Sequence, residues 1–276
     1  MASSASPRPL VDGTDWLKAG AILLVSVGHF GQFFMEDETW WTAIGCLAAP
    51  FFFFLMGFAQ TRTVPLRWIG LGVLLTLLAS WNAGWSWEAP NILLSFALIR
   101  WARPPVQALL RRHGWGGSAL LVVALVGALP VAESVVEYGS EGWLWALFGL
   151  FQRAHVDGRP ATGPDAGAAG DSSRVDRLAG CAGPMRLVAS LVAAVVFLWQ
   201  ENRVYSFSAA QLATLALGLG LLCAGLCRFR RGPSRVQPPE PVASALRVVG
   251  RHTLEIYAIQ LAASELLVKL VPGLAP

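Results

Sequence analysis

Two ionisable residues, Lys18 and His29, stand eleven positions apart around the apolar run Trp16–Phe34. The length and hydropathy of this run predict a membrane-spanning helix. Eleven residues at about 100° each make almost three turns, so both side chains lie on one stripe, roughly 16 Å apart along the axis. Asp15 and Ser26 fall close to the same stripe. Because an ionisable group deep in lipid is costly, His29 is a candidate functional residue.

The chemistry that this pattern suggests is acyl transfer. A buried imidazole stays neutral and accepts protons, so His29 suits a general base for an alcohol or amine that attacks a thioester. Basic residues can hold the phosphates of a donor such as coenzyme A; the candidates are Lys18, Arg62, Arg100 and Arg251. The alternatives are a histidine hydrogen-bonded to a neighbouring helix, and cations that set the topology and contact lipid headgroups.

Further polar residues lie in or beside the last and fourth apolar runs. Glu255 follows Arg251 by four residues, so the two are predicted to pair on one helix face. Tyr257 and Gln260 share a face, where they either line a polar cavity or bond helix to helix. Asn91 begins a short apolar run and suits an N-cap as well as a site residue.

The composition is that of a multi-pass membrane protein. Hydrophobic residues make up 55% of the chain and charged residues 14%, whereas soluble domains have about 25% charged residues. The net charge of +4 does not indicate nucleic-acid binding, because Lys and Arg stand in short segments between apolar runs. The four cysteines form no CxxC and no zinc-binding spacing with histidine, so they are predicted to pack and no metal is expected.

Apolar runs and loop charges together predict an all-α bundle of nine spans with the N-terminus inside and the C-terminus outside. With this topology all but two of the 21 Lys and Arg residues lie inside; the exceptions are Arg203 and Lys269. The localisation predicted is the plasma (inner) membrane. The nine predicted spans are Trp16–Phe34, Trp41–Ala59, Leu66–Gly84, Asn91–Trp101, Gly117–Val136, Gly142–Phe151, Arg186–Trp199, Ser208–Cys227 and His252–Val271.

Four segments are predicted from these runs and from the composition between them. Residues 1–13 form a disordered cytoplasmic tail, and residues 14–153 hold the first six spans. Residues 154–185, rich in Gly, Ala, Pro and Asp, form a flexible cytoplasmic loop. Residues 186–276 hold the last three spans, interrupted by a Pro-rich cytoplasmic linker at 230–241.

The stretch DWLKAGAILLVSVGHF, with its basic residue, ten residues and histidine, resembles the first helix of the integral-membrane acyltransferase-3 superfamily. LAAPFFFFLMGFA, NILLSFAL and EYGSEGWLWALFGLF look more like the TraX branch, of the pilin acetyltransferase type. The closing VVGRHTLEIYAIQL is similar to the last helix of related acyltransferases. Two positions depart from these patterns: Gly28 stands where TraX-type proteins have Asp, and Gln260 where related helices have His.

The resemblance implies transfer of an acyl group, in the first place acetyl, from cytoplasmic acetyl-CoA to an acceptor at or across the membrane. His29 is the catalytic base in this reading, and Lys18 is a cation of the donor site. The acceptor stays open among a sugar, a polysaccharide, a lipid and a protein amine. Two other functions remain possible: a small-solute transporter, and a non-catalytic protein of envelope assembly.

Overall fold

A computed structural model describes residues 10–61, 63–85, 89–158 and 177–271. Helices dominate these residues, and the β-structure in them is an isolated antiparallel bridge between Asp12 and Pro233. The helices are α1 (Gly13–Phe34), α2 (Glu38–Gly45), α3 (Ala48–Phe58), α4 (Leu66–Asn82), α5 (Ile92–Val135), α6 (Gly139–Asp157), α7 (Arg177–Tyr205), α8 (Ala209–Leu226), α9 (Glu240–Arg251) and α10 (Thr253–Leu270).

Within the described ranges, five apolar segments are long enough to cross a bilayer, so the chain is an all-α, multi-pass membrane protein. They are α1, the α2–α3 pair, α5 up to Ala132, α7 and α8. Many leucines and valines of these helices are exposed on the outside of the bundle, where acyl chains replace water as their surroundings.

The longest helix, α5, is a hairpin of two arms. Its 44 residues would extend about 66 Å at roughly 1.5 Å per residue. Yet the backbone N of Ile92, at its start, lies 2.7 Å from the Glu137 carboxylate just beyond its end. The reversal occurs at Gly114, whose φ of 54° suits glycine. The first arm therefore continues well past Trp101, where the sequence predicts that the fourth span ends.

The core lies around α6, which is buried on nearly every side. α3 and α6 approach at backbone distance: a Cβ on Gly57 would lie 1.8 Å from the Ala146 carbonyl oxygen, and a Cβ on Gly149 would lie 2.0 Å from that of Phe54. Small residues permit such close packing in membranes. The phenylalanines of α3 fill the remaining space, since Phe53 and Phe54 are almost fully buried.

The segments predicted as loops contain more helix than expected. α6 continues to Asp157 and α7 begins at Arg177, so both ends of the predicted loop 154–185 are helical; residues 159–176 lie outside the described part of the chain. α9 follows the Pro-rich linker and precedes the last span. Of the predicted N-terminal tail, residues 1–9 are not described, whereas Val11 is hydrogen-bonded to Gln237 in the linker.

Candidate functional site

His29 faces the interior of the bundle from the C-terminal half of α1. Its ring centroid lies 5.8 Å from that of Tyr257 on α10 and 6.2 Å from that of Phe33. Within the described residues, its buried Nδ1 has no hydrogen-bond partner. The ring therefore faces a small cavity of about 50 Å³, formed by α1, α2, α3, α5 and α10 together with the segment between α5 and α6. We call this the histidine cavity.

Hydrogen bonds hold the polar wall of the histidine cavity in place. Asn91 caps α5 by accepting from the Leu93 N–H, and its Nδ2 donates to the Tyr257 hydroxyl at 3.2 Å. The Thr76 hydroxyl accepts from the backbone N–H of Asn91 at 2.9 Å. Asn91 is thus the N-cap of α5, as one of the two predictions had it, and its side chain also holds the hydroxyl of Tyr257 in place.

Glu137 is a cavity residue that sequence reasoning missed. It follows α5 and lines the histidine cavity beside Tyr138. Its carboxylate accepts from the Ile92 N–H at 2.7 Å, and its backbone carbonyl accepts from Ser95 at 2.6 Å. The sequence predicts that Glu137 lies in a loop outside the membrane, but the hairpin of α5 places this loop against the start of α5, beside the histidine cavity. The Glu-Tyr-Gly stretch before α6 is the signal that could have identified it.

The packing around Gly28 leaves no room for an acidic side chain directly before His29. A Cβ at Gly28 would lie 3.0 Å from the Cα of Gly45, and one at Gly45 would lie 2.2 Å from the Cα of Gly28. α1 and α2 thus touch through their backbones at this level. An Asp at position 28 would require the two helices to separate.

Lys18 lies near the N-terminus of α1, on the same face as His29. Its Nζ donates to the carbonyl oxygen of Gly250 at 2.8 Å, at the C-terminus of α9, where a cation is favoured by the helix dipole. Asp15 completes a capping box with Asp12 at the start of α1. A Cβ on Gly250 would lie 2.4 Å from the Asp15 carboxylate, so Asp15 serves helix capping and the packing of α9.

A second cavity, of about 280 Å³, opens beside Lys18, and we call it the middle cavity. Its basic lining is Lys18, Arg67, Arg100, Arg153, Arg231 and Arg251. The predicted pairing of Arg251 with Glu255 is wrong. Glu255 instead forms a 2.6 Å ion pair with Arg67, because α9 ends at Arg251 and α10 begins as a separate helix.

A third cavity, of about 510 Å³, lies between the first arm of α5, the C-terminal end of α6 and the N-terminal end of α7, and we call it the arginine cavity. Its cations are Arg100, Arg103, Arg111 and Arg153. The last three were missed as site residues. The signal for Arg103 and Arg111 is the i, i+3, i+7, i+11 spacing of Arg100, Arg103, Gln107 and Arg111, which places all four on one face of a helix.

Shared lining residues link the three cavities in a row. Gln60, Thr61, Arg100 and Arg153 line both the arginine cavity and the middle cavity. Phe52 and Leu254 line both the middle cavity and the histidine cavity. The histidine cavity has room for a water molecule, whose share of liquid volume is about 30 Å³. It is too small for a thioester while the Phe52 and Leu254 side chains are placed as in this structure.

The remaining predicted site residues are divided between the cavities and the helix contacts. Arg100 stacks over Trp68 at 4.1 Å and donates to the Thr63 carbonyl at 3.1 Å, so it is fixed at the boundary of two cavities. Ser26 lies 2.8 Å from the side-chain oxygen of Gln260 and bonds α1 to α10. Arg62 lies outside the described residues.

This arrangement can carry out two kinds of chemistry. An imidazole nitrogen that has no partner in the described part of the chain can accept a proton from a reacting group in the histidine cavity. Guanidinium groups around the two larger cavities can bind phosphate through paired N–H groups.

The comparisons with known proteins give a family and no named relative. No curated protein matches the chain, and no solved structure matches it. The model of the family described as "TraX protein" matches residues 13–162, more than half of the chain. This match covers α1 to α6, including Lys18, His29 and the Glu-Tyr-Gly stretch at 137–139. The chain therefore belongs to the TraX protein family.

Proposed function

We propose that the protein is an integral-membrane acyltransferase. It moves an acyl group, in the first place acetyl, from cytoplasmic acyl-CoA to a hydroxyl or amine of an acceptor at or across the membrane. The observation that carries the proposal is the row of three cavities. Cations surround the inner two, and an imidazole with an open nitrogen faces the third. A donor with phosphates at one end and a thioester at the other matches this order.

His29 is the general base in this mechanism. Its neutral imidazole takes the proton of the acceptor O–H or N–H as the acceptor attacks the thioester carbonyl. The new C–O or C–N bond forms, the C–S bond breaks, and the leaving thiolate of coenzyme A receives the proton back from the imidazolium. Tyr257, whose ring lies 5.8 Å from that of His29 and whose hydroxyl is held by Asn91, keeps the imidazole in place from the α10 side.

The donor phosphates bind on the inner side, at the predicted cations. Lys18, Arg100 and Arg251 line the middle cavity, which supports their assignment to the donor. Arg62 is assigned to the same group from the sequence alone. Arg67 also lines this cavity, where its ion pair with Glu255 fixes its guanidinium group.

Phe52 and Leu254 line both the middle cavity and the histidine cavity, so the thioester must pass these two side chains to reach His29. We infer that donor binding displaces them. Such a gate keeps water from the thioester until the acyl group enters the closed site.

We also propose nine crossings, with the N-terminus inside the cell and the C-terminus outside, in the plasma (inner) membrane. The two arms of α5 count as separate crossings, and the distribution of Lys and Arg sets the orientation. This topology places the arginine cavity on the cytoplasmic side, where acyl-CoA is found. We also propose that the chain is related to the acyltransferase-3 superfamily.

The test measures donor binding and transfer in one preparation. Purified protein in lipid nanodiscs is titrated with coenzyme A by calorimetry, and membranes that contain the protein are incubated with [¹⁴C]acetyl-CoA. We expect saturable binding and label in a membrane or envelope fraction. In parallel, proteoliposomes are assayed for the uptake of small solutes. Solute flux without coenzyme A binding would establish the transporter instead, and absence of both activities would favour a non-catalytic role in envelope assembly.

A further inference from the structure

Three polar groups of the histidine cavity have hydrogen-bonding capacity that the described residues leave unused. The buried Nδ1 of His29 has no partner among them. Glu137 accepts from the Ile92 N–H through one carboxylate oxygen, and its other oxygen, Oε1, has no hydrogen bond within the same ranges. The Tyr257 hydroxyl accepts from Asn91, which leaves its own hydrogen without an acceptor in the described part of the chain. Such groups favour a shared polar partner.

Short contacts bring these three groups together. The His29 ring lies 5.8 Å from that of Tyr257. Asn91 donates to the Tyr257 hydroxyl at 3.2 Å, and the next residue, Ile92, donates to Glu137 at 2.7 Å. The Glu137 carboxylate is therefore close to the Tyr257 hydroxyl. The cavity between them measures about 50 Å³, and a buried water molecule needs two to four polar partners in a space of this order.

We propose that Glu137 is a positioning residue for His29 and acts through one water molecule in the histidine cavity, a role that rests on the proposed function. The water accepts from the Tyr257 hydroxyl and donates to Glu137 Oε1 and to His29 Nδ1, so all three groups gain a partner. The bond to Nδ1 keeps this nitrogen unprotonated and facing the cavity, where the O–H or N–H of the acceptor replaces the water. When His29 takes the acceptor's proton, the nearby carboxylate stabilises the imidazolium.

Glu137 also has a structural role, which the test must separate from its effect on His29. Its carboxylate caps the start of α5, where a negative charge is favourable. Glu137→Gln keeps a side-chain oxygen for the Ile92 N–H but removes the negative charge. Glu265→Gln is the matched control. Glu265 is also partly buried and accepts from a neighbouring helix, through Asn82, but it does not line the histidine cavity.

The experiment measures transfer from [¹⁴C]acetyl-CoA in membranes that contain equal amounts of the wild type, Glu137→Gln or Glu265→Gln. Burial raises the pKa of Glu137 to about 7, so the assay is run at about pH 8, where the carboxyl group is largely ionised. Turnover by Glu137→Gln should fall by about tenfold or more, because the lost charge acts in the transition state. Its coenzyme A affinity and unfolding temperature should match those of Glu265→Gln, which should keep the wild-type turnover.

Three results would overturn the role of Glu137. Normal turnover in Glu137→Gln would remove it and leave the acyltransferase proposal standing. Slow turnover together with a lower unfolding temperature or weaker coenzyme A binding would mean that the carboxylate only supports the fold. If the wild type transfers no acetyl group, the proposed function fails and the role of Glu137 falls with it.

Discussion

The arginine and middle cavities differ from the histidine cavity in both size and chemistry. The first two measure about 510 and 280 Å³ and are lined by cations, whereas the histidine cavity measures about 50 Å³ and is lined largely by aromatic and small residues. Under the proposed function, this difference separates selection of the donor from the reaction. The cations of the two larger cavities would select a phosphorylated donor, and packing around the histidine cavity would control what reaches the imidazole.

The two ends of the row of cavities are also formed by different kinds of contact. Around His29, backbones touch at Gly28 and Gly45, and Asn91 fixes Tyr257 by a hydrogen bond. The arginine and middle cavities lie between helix ends and are lined by both buried and exposed arginines. We therefore expect substitutions near His29 to affect turnover most, and substitutions at the inner rim to affect donor affinity.

Replacement of His29 by Ala should have the largest effect. Loss of a general base lowers turnover by about 100-fold or more, while coenzyme A affinity should stay within about twofold, because the phosphates bind elsewhere. The measurement is acetyl transfer per mole of folded protein, beside a coenzyme A titration. His113→Ala, exposed on α5, is the control and should retain full activity. Equal transfer by both variants would refute the base assignment.

Gly57→Ala should be the most damaging change to the contact between α3 and α6. Its Cβ would lie 1.8 Å from a backbone oxygen of α6, so α3 must shift, at about 2–3 kcal/mol of unfolding free energy. Thermal unfolding in detergent measures the effect. Gly127→Ala is the matched control, since a Cβ there has no described atom within 4 Å. Similar unfolding temperatures for the two variants would contradict the close packing of α3 and α6.

Leu254→Trp should narrow the gate between the middle and histidine cavities. We expect transfer to fall by about tenfold or more, because small displacements of reacting groups are costly. Coenzyme A affinity should change much less. Ile259→Trp, at a position of α10 that is 69% exposed, is the control. A normal rate in Leu254→Trp would mean that the acyl group does not pass between Phe52 and Leu254.

The Arg67–Glu255 ion pair should matter least for stability. The Arg67 side chain is 64% exposed, and exposed ion pairs contribute about 0–1 kcal/mol. Arg67→Ala should therefore leave the unfolding temperature nearly unchanged. Weaker binding of coenzyme A by this variant would indicate that Arg67 contacts the donor in the middle cavity. A large loss of stability would show that the pair supports the fold.

The sequence could predict features that depend on one helix and could not predict those that depend on two. Lys18 and His29 share a face because helical geometry alone decides it, and the predicted TraX resemblance is confirmed. The Arg67–Glu255 pair joins residues far apart in the chain, so no local spacing reveals it. The predicted partner, Arg251, fails because the helix breaks at His252.

Three of the missed residues, Arg103, Arg111 and Glu137, have a common cause in the hairpin of α5, which the sequence did not predict. Pro104 and Pro105 indicate a helix end by local rules, so Arg103 and Arg111 are assigned to a loop when only the sequence is read. In the structure the helix continues through both prolines and reverses at Gly114. The same reversal brings Glu137 back to the start of α5.

In the proposed mechanism, an acyl donor that enters from the arginine cavity places its thioester beside His29. An acyl-CoA analogue with a photoreactive diazirine in the acyl group tests this placement, followed by mapping of the crosslinked residues by mass spectrometry. We expect adducts on residues that line the histidine cavity, such as Phe52, Leu254 and Tyr257, and their suppression by excess coenzyme A. Adducts confined to lipid-facing residues, or unaffected by coenzyme A, would contradict it.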